Sequence, residues 1–189
     1  MTKKTLRNDL IQQRKSKSEC FIKKNSEKIG ETFFNLQEIK NASHLLFYVS
    51  YNGEVHTHDL IKKSLSMNKT VYVPISHPST HTLTLSKLQQ FVDLIPGIYG
   101  ILEPKKETVI SVPIDHIEVV IVPGVGFDVS GHRIGQGGGY YDWLLCKTKA
   151  ISVALAFEFQ IKKTIPIEPH DRRVDLIVTE KRVINCTSN

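Results

Sequence analysis

The chain has 189 residues, 40% of them hydrophobic and 23% charged, enough for one domain that buries a sizeable core without disulfides or structural metal. No apolar run reaches the ~18 residues that a membrane helix needs, and Cys20, Cys146 and Cys186 sit at no zinc-finger interval, so they read as reduced thiols. The net charge of +6 suits RNA, an acidic metabolite or plain solubility, and selects none of them.

In chain order, residues 2–17 read as a basic helix on which Lys3, Arg7, Leu10 and Arg14 recur every three or four positions. That spacing lines them along one side, which we expect to face a polyphosphate, while the other lysines form a solvated face. The N-terminal stretch is basic without an apolar core or cleavage site, so it does not read as a secretory signal and a cytoplasmic protein is expected. Residues 18–39 read as a second helix, capped by Ser18 and carrying Ile22, Ile29 and Phe33 on its apolar stripe.

Short β-branched and aromatic runs follow at 44–51, 69–76, 80–88, 118–124, 150–157 and 174–180, each bounded by turn residues. Helical segments are expected at 57–67 and from Gly139 or Tyr140 through Trp143, Leu144 and Leu145. The near-continuous apolar run VVIV marks a strand covered on both faces. We therefore expect one α/β domain over residues 1–189, a three-layer α/β/α arrangement with a mixed, largely parallel sheet. Ligand sites in such folds form at the carboxyl ends of strands.

Seven of the eleven glycines lie between Gly124 and Gly139, in PGVGFDVSGHRIGQGGGYYD. A glycine-rich strand-to-helix segment can turn several N–H groups toward an anion at the positive end of the following helix. It is not a Walker A loop, because no GK[ST] follows, and it lacks the βαβ context of a dinucleotide fingerprint. A tight turn needing positive φ would use glycines in the same way. Nearby residues add chemistry: Arg133 offers a fixed cationic fork, Tyr140 and Tyr141 flat rings with hydroxyls, and Asp142 a carboxylate in the first helical turn.

Other polar residues have bland readings. His56 and His58 form an HxH pair without a third ligand at metal spacing and read as surface or helix-entry residues. His170 is a turn histidine or an orienting neighbour of Asp171. Asp128 is read as a turn former, Asp175 as a cap or a partner of Arg173, and Trp143, Phe157 and Phe159 as core aromatics.

The run PGVGFDVSGHRIGQGGGYYD resembles the signature of the 5-formyltetrahydrofolate cyclo-ligase family, also called 5,10-methenyltetrahydrofolate synthetases. The resemblance extends to Lys3 and Arg7 in a KxxxR helix, to YVSYNGEVHT, to GILEP and to HDRRVDLIVTE, in the family's order. It implies a fold similar to the sugar-phosphate isomerase and CoA-transferase (NagB/RpiA) group. The implied activity is an ATP- and Mg²⁺-dependent conversion of 5-formyltetrahydrofolate to 5,10-methenyltetrahydrofolate, by a monomer that binds small molecules and neither nucleic acid nor membrane.

Matched to the family's motifs, Lys3 and Arg7 hold ATP phosphates, and Arg133, Gly135, Gln136, Gly137, Gly138, Gly139, Tyr140 and Tyr141 form the nucleotide loop. Val49 and Glu54 belong to the folate side, which Gln136 through Tyr140 also border. Asp142 and Asp171 match the Mg²⁺ carboxylates and must converge in space. Many members carry Arg or Lys within the loop where this chain has Gln136 and Gly138, so less charge is expected on the phosphates there. A phosphosugar or CoA-ester enzyme on a related fold and a basic RNA-binding module are the alternatives, the latter without a recognisable RNA motif.

Overall fold

The computed structural model describes residues 2–97 and 100–187. Helix α1 (Lys3–Lys15) starts at Thr2, whose Oγ1 accepts the Thr5 N–H at 3.2 Å. Helix α2 (Glu19–Asn35) is capped as expected by Ser18 through the Phe21 N–H, also at 3.2 Å. The expected single helix over 18–39 is instead broken at Leu36, which is extended (φ −61°, ψ 137°), and resumes as α3 (Gln37–Asn41). Phe33 and Ile39 are both fully buried. On an unbroken helix they would stand roughly 120° apart, so the break lets both reach one core.

Strand β1 (His44–Leu46) is followed by α4 (His58–Ser66) and the antiparallel pair β2 (Thr70–His77) and β3 (Thr82–Leu88). A small hairpin, β4 (Leu94–Pro96) and β5 (Leu102–Pro104), leads to β6 (Val119–Val122). Next come β7 (Gly126–Asp128), β8 (Arg133–Ile134), α5 (Tyr140–Lys147) and β9 (Ile151–Leu155), then β10 (Ile161–Lys162), β11 (Leu176–Val178) and β12 (Val183–Asn185). The main sheet has the order β12-β11-β9-β6-β1-β2-β3. Its five inner strands are parallel and its two edge strands antiparallel, which agrees with a mixed, largely parallel sheet.

Alternate strand residues serve opposite faces, as the two-residue period requires. Val119 and Ile121 join α2, α3 and α4 in one core with Phe33 and Ile61, whereas Val120 and Val122 meet Leu144 of α5 and Phe127 in the other. Burial of VVIV on both faces is thus explained by helices on both sides. A third, smaller cluster joins Leu6 and Leu10 of α1 to Val125, Ile134 and Ile165, so α1 packs on the glycine segment.

Two features were not anticipated. The glycine run holds the antiparallel pair β7 and β8, which with β10 makes a separate three-stranded sheet. It is therefore a hairpin followed by a short loop at 135–139, not one uninterrupted strand-to-helix loop. The strand expected over 44–51 leaves the ladder after Leu46, with only the Phe47 N–H still bonded to Tyr72 O at 2.9 Å. Residues 48–54 bend away over the sheet's carboxyl edge, where a ligand site belongs.

Candidate active site

Strands β1 and β6 are neighbours in the sheet, yet the chain leaves β1 toward β2 and leaves β6 toward β9 on the other side. This is a topological switch point, where the connections diverge and a crevice opens beyond the carboxyl ends. A cavity of about 530 Å³ occupies it. Residues after β1 form one wall, Pro123 and Gly124 after β6 form the floor, and the 135–139 loop, the start of α5 and residues 168–171 complete the rim. Lys3 and Arg7 reach it from α1. Lys3, Arg7, Val49, Glu54, Arg133, Gly135, Gln136, Gly137, Gly138, Gly139, Tyr140, Tyr141, Asp142 and Asp171 all line this one cavity.

The wall after β1 is fixed by its own polar groups. Ser50 and Thr57 bond reciprocally, each side-chain oxygen accepting the other's N–H at 2.9–3.0 Å, and Thr57 Oγ1 donates to Tyr48 O at 2.8 Å. Between them Asn52 and Gly53 both have positive φ (48° and 76°), and the Glu54 N–H bonds Tyr51 O. Asn-Gly is the sequence that such a mirror-image turn favours. The turn carries Glu54, whose Oε2 accepts the Tyr51 N–H at 3.1 Å. Burial pushes the Glu54 carboxyl upward, against the Tyr51 N–H and Arg14, which pull it down.

The glycine segment is held from beneath. Gln160, 3% exposed, donates to Gly124 O and Val125 O at 3.1 and 2.9 Å. Asp128, read as a turn former, accepts the Ser130 and His132 N–H groups and also that of Ile165. Arg7 Nε donates to Gly135 O at 2.8 Å, and the His81 ring nitrogen lies 3.0 Å from Gly138 O. Gly137 (φ 103°) and Gly139 (φ 70°), the N-cap of α5, have positive φ, and a Cβ built on either would meet nothing within 4 Å. Backbone conformation demands these two glycines, and the space beside them is open to a ligand.

The charged rim is paired. Arg133 Nη2 donates to Asp142 Oδ1 at 2.8 Å, and Nη1 to Arg172 O. Asp142 Oδ1 also accepts the Arg172 N–H at 3.0 Å. Burial lowers the Arg133 pKa while Asp142 opposes the shift. Lys3 Nζ bonds both Asp171 oxygens at 2.7 and 2.6 Å and Glu168 at 3.1 Å. Burial works against both charges, yet the pairing outweighs it: the Asp171 pKa is lowered and that of Lys3 raised. Ligand atoms of Glu168, His170 and Asp171 lie within 4.8 Å of one another. Tyr141, whose pKa burial raises, has a buried hydroxyl without a partner among the described residues.

Some expectations need correction. Arg14 does not face the phosphate side with Arg7; it is 4% exposed, lies under the Asn52–Gly53 turn and does not line the cavity. Asp175 takes neither of its expected partners, but accepts from Ser152 N and Oγ at 2.8 and 2.6 Å. His58, by contrast, opens α4 with its Nε2 3.1 Å from Ser50 O, the helix-entry position read for it from the sequence. Phe157 is fully buried, whereas Trp143 and Phe159 are only partly so. Sequence reading also passed over Glu103, in the quoted GILEP, whose Oε1 accepts the Ser76 N–H at the cavity wall, and Glu168 beside Asp171.

Comparison with known proteins bears on the whole chain. Residues 1–180 match the 5-formyltetrahydrofolate cyclo-ligase family. A 5-formyltetrahydrofolate cyclo-ligase of Haemophilus influenzae is 33% identical over 77% of this chain and 80% of that protein. The solution structure of Aquifex aeolicus 5,10-methenyltetrahydrofolate synthetase superposes with a TM-score of 0.89 at 31% identity, covering 100% of this chain and 95% of that one. A Mycoplasma pneumoniae 5,10-methenyltetrahydrofolate synthetase shares the fold at TM-score 0.78 and 21% identity, over 95% and 99% of the two chains. With a family match spanning the α1 basic helix, the switch-point cavity and the acidic rim, the chain belongs to the 5-formyltetrahydrofolate cyclo-ligase family.

Proposed function

We propose that residues 1–189 act as one ligase domain converting 5-formyltetrahydrofolate to 5,10-methenyltetrahydrofolate at the expense of ATP. The observation that carries this is the single cavity with two chemically different ends. The glycine loop, Lys3, Arg7 and Arg133 make one end, and Tyr48, Val49 and Glu54 the other. Phosphates suit the first end, where backbone N–H groups and cations gather. A flat, polar-edged ring system suits the second, beside Tyr48, Tyr140 and Tyr141.

A formamide is a weak electrophile because its nitrogen lone pair is delocalised into the carbonyl. Its oxygen, held in line with the γ-phosphate, can displace ADP and become a phosphorylated leaving group. The neighbouring folate amine then attacks the formyl carbon, a proton is lost, and phosphate departs. This demands positioning and charge neutralisation rather than a protein nucleophile. Lys3, Arg7 and Arg133 supply the charge, the loop supplies N–H donors, and Gln136 supplies a neutral amide. Glu54 hydrogen-bonds the pterin edge.

Asp142, paired with Arg133, and Asp171, paired with Lys3, bring carboxylates to the phosphate end of the same cavity, with Glu168 beside Asp171. Hard oxygen donors next to a triphosphate are what Mg²⁺ takes, one or two carboxylates with water and phosphate completing its shell. When bound there, the ion would offset charge on the phosphates. Free Cys20, Cys146 and Cys186 are consistent with a reducing, cytoplasmic setting. No helix among the described residues is long and apolar enough to cross a membrane. We infer a monomer acting on small molecules.

The test follows the near-ultraviolet absorbance of the methenyl product, with purified protein, 5-formyltetrahydrofolate and ATP, with and without Mg²⁺. Asp142→Asn is the informative control, because its amide oxygen can still accept from Arg133 and Arg172. Product that needs ATP and Mg²⁺ supports the reading. Well-folded protein that makes none under any of these conditions overturns it.

A further inference from the structure

We propose that Arg14 is a positioning residue for Glu54, holding that carboxylate ionised and aimed at the folate end of the cavity from inside the protein. The inference rests on the reading of Glu54 as a folate-side group and adds the element that controls it.

Arg14 stands one helical repeat beyond Arg7 on α1 and is 4% exposed. Its Nε and Nη1 are buried and have no hydrogen-bond partner among the described residues. A guanidinium is not left in that state without a compensating negative charge. The carboxylate within reach is Glu54, whose Oε1 lies 3.9 Å from Arg14 Nη1. The other oxygen of Glu54 is occupied by the Tyr51 N–H, so the two sides of the carboxylate are fixed by different groups. Contact with the turn is steric as well: a Cβ on Gly53 would stand 3.5 Å from Arg14 Cγ. The stem of Arg14 thus supports the Asn52–Gly53 turn, while its head faces the carboxylate which that turn carries.

The remaining groups around Glu54 cannot do this. Tyr48, after β1, and Tyr141, on α5, act on it as potential negative charges, and burial keeps both phenols protonated far above neutral pH. His56, His58, Asp59 and Lys62 share with Glu54 the lining of a smaller cavity of about 240 Å³, yet none of them comes within ion-pair distance of Glu54 among the described residues. Arg14 is the cation that, after the Tyr51 N–H, opposes the upward push of burial on the Glu54 carboxyl. Because α1 also carries Lys3 and Arg7, one rigid helix spans the phosphate and folate ends over about 16 Å.

The experiment measures kcat/KM for 5-formyltetrahydrofolate and KM for ATP from pH 5.5 to 8.5, against enzyme-free blanks. The proteins are the wild type, Arg14→Met, Arg14→Lys, Glu54→Gln and the Arg14→Met/Glu54→Gln double variant. For Arg14→Met, kcat/KM for the folate should fall about tenfold at pH 6 and much less at pH 8, the acid limb moving to higher pH. The KM for ATP should stay within about twofold, and Arg14→Lys should restore the acid limb. The double variant should be no worse than Glu54→Gln alone.

The proposal fails if Arg14→Met lowers the rate equally at every pH, or if its effect adds in full to that of Glu54→Gln. A Glu54→Gln enzyme like the wild type removes Glu54 from the reaction and this inference with it. A wild type without activity instead overturns the reading of the whole site, before any variant is compared. Should Arg14→Met melt below the assay temperature, Arg14→Gln against Arg14→Lys makes the same comparison with a polar, uncharged head in place of the guanidinium.

Discussion

Lys3 and Asp171 stand 168 residues apart in the chain and share two hydrogen bonds of 2.7 and 2.6 Å at the cavity rim. Their side chains are only 16% and 8% exposed, so the pair is more than a surface contact. Replacing Lys3 by Met should cost about 1 kcal/mol at neutral pH. The Asp171 pKa is lowered, so its share of stability is complete above the unfolded aspartate pKa and is lost as pH falls through the lower, folded value. The raised Lys3 pKa means its share is complete below the unfolded lysine value and is lost as pH rises through the folded one. Urea titrations of wild type and Lys3→Met at stepped pH should therefore differ between these limits and converge in strong acid. A constant gap down to pH 2 would contradict the assignment.

Asp142 is the partner that keeps the buried Arg133 guanidinium paired. Asp142→Ala should destabilise the fold by roughly 3 kcal/mol by leaving that charge alone, whereas Asp142→Asn should lose much less. Both should lose ligase activity if the carboxylate serves the phosphate end. Equal denaturation midpoints for the Ala variant and the wild type would mean that the ion pair contributes nothing.

Gly137 has φ of 103° and open space where a side chain would go. Gly137→Ala should therefore fail by conformation and not by crowding, at about 1–3 kcal/mol of local strain. We expect the loop to shift, raising the KM for ATP while the melting temperature of the sheet core changes little. Isothermal titration with a non-hydrolysable ATP analogue checks this, and unaltered affinity would count against the loop as the phosphate site.

Leu10 is fully buried between α1 and the glycine segment, and its side chain occupies the space beside Gly126. Leu10→Ala should cost about 3 kcal/mol. Loosened α1 should also expose the Arg7 bond to Gly135 O, so amide exchange should quicken across 3–15 and 135–139 together. Faster exchange confined to α1 would show that the helix does not brace the loop.

Much of this was legible because local chemistry agreed with the final packing. Ser18 caps where a serine before an apolar stripe should, VVIV is buried on both faces, and the cavity opens where β6 runs into Pro123 and Gly124. Separated motifs could be assigned to one site because their resemblance to a family held in order along the chain. What escaped was decided by long-range geometry. Leu36 breaks a helix that its neighbours favour, because Phe33 and Ile39 must both reach the sheet. Arg14 shares a helix side with Arg7 yet meets Glu54, since the Asn52–Gly53 turn sits over it. The β7–β8 hairpin was hidden by the glycines around it, and Gln160 pins that segment from 35 residues away in sequence. No period or spacing announces such a bond.

The Lys3 bond to Asp171 also sets when the site can exist. Helix α1 is made before its partner at the rim, which emerges from the ribosome only after β9 and β10 have done so. At ~5–20 residues per second, the glycine loop precedes that partner by a few seconds. A nascent chain halted before Asp171 would thus present a basic helix and the glycine loop without the carboxylate that takes both short bonds from Lys3. The pair of Lys3 with Asp171 therefore closes over the loop only once residue 171 has been made.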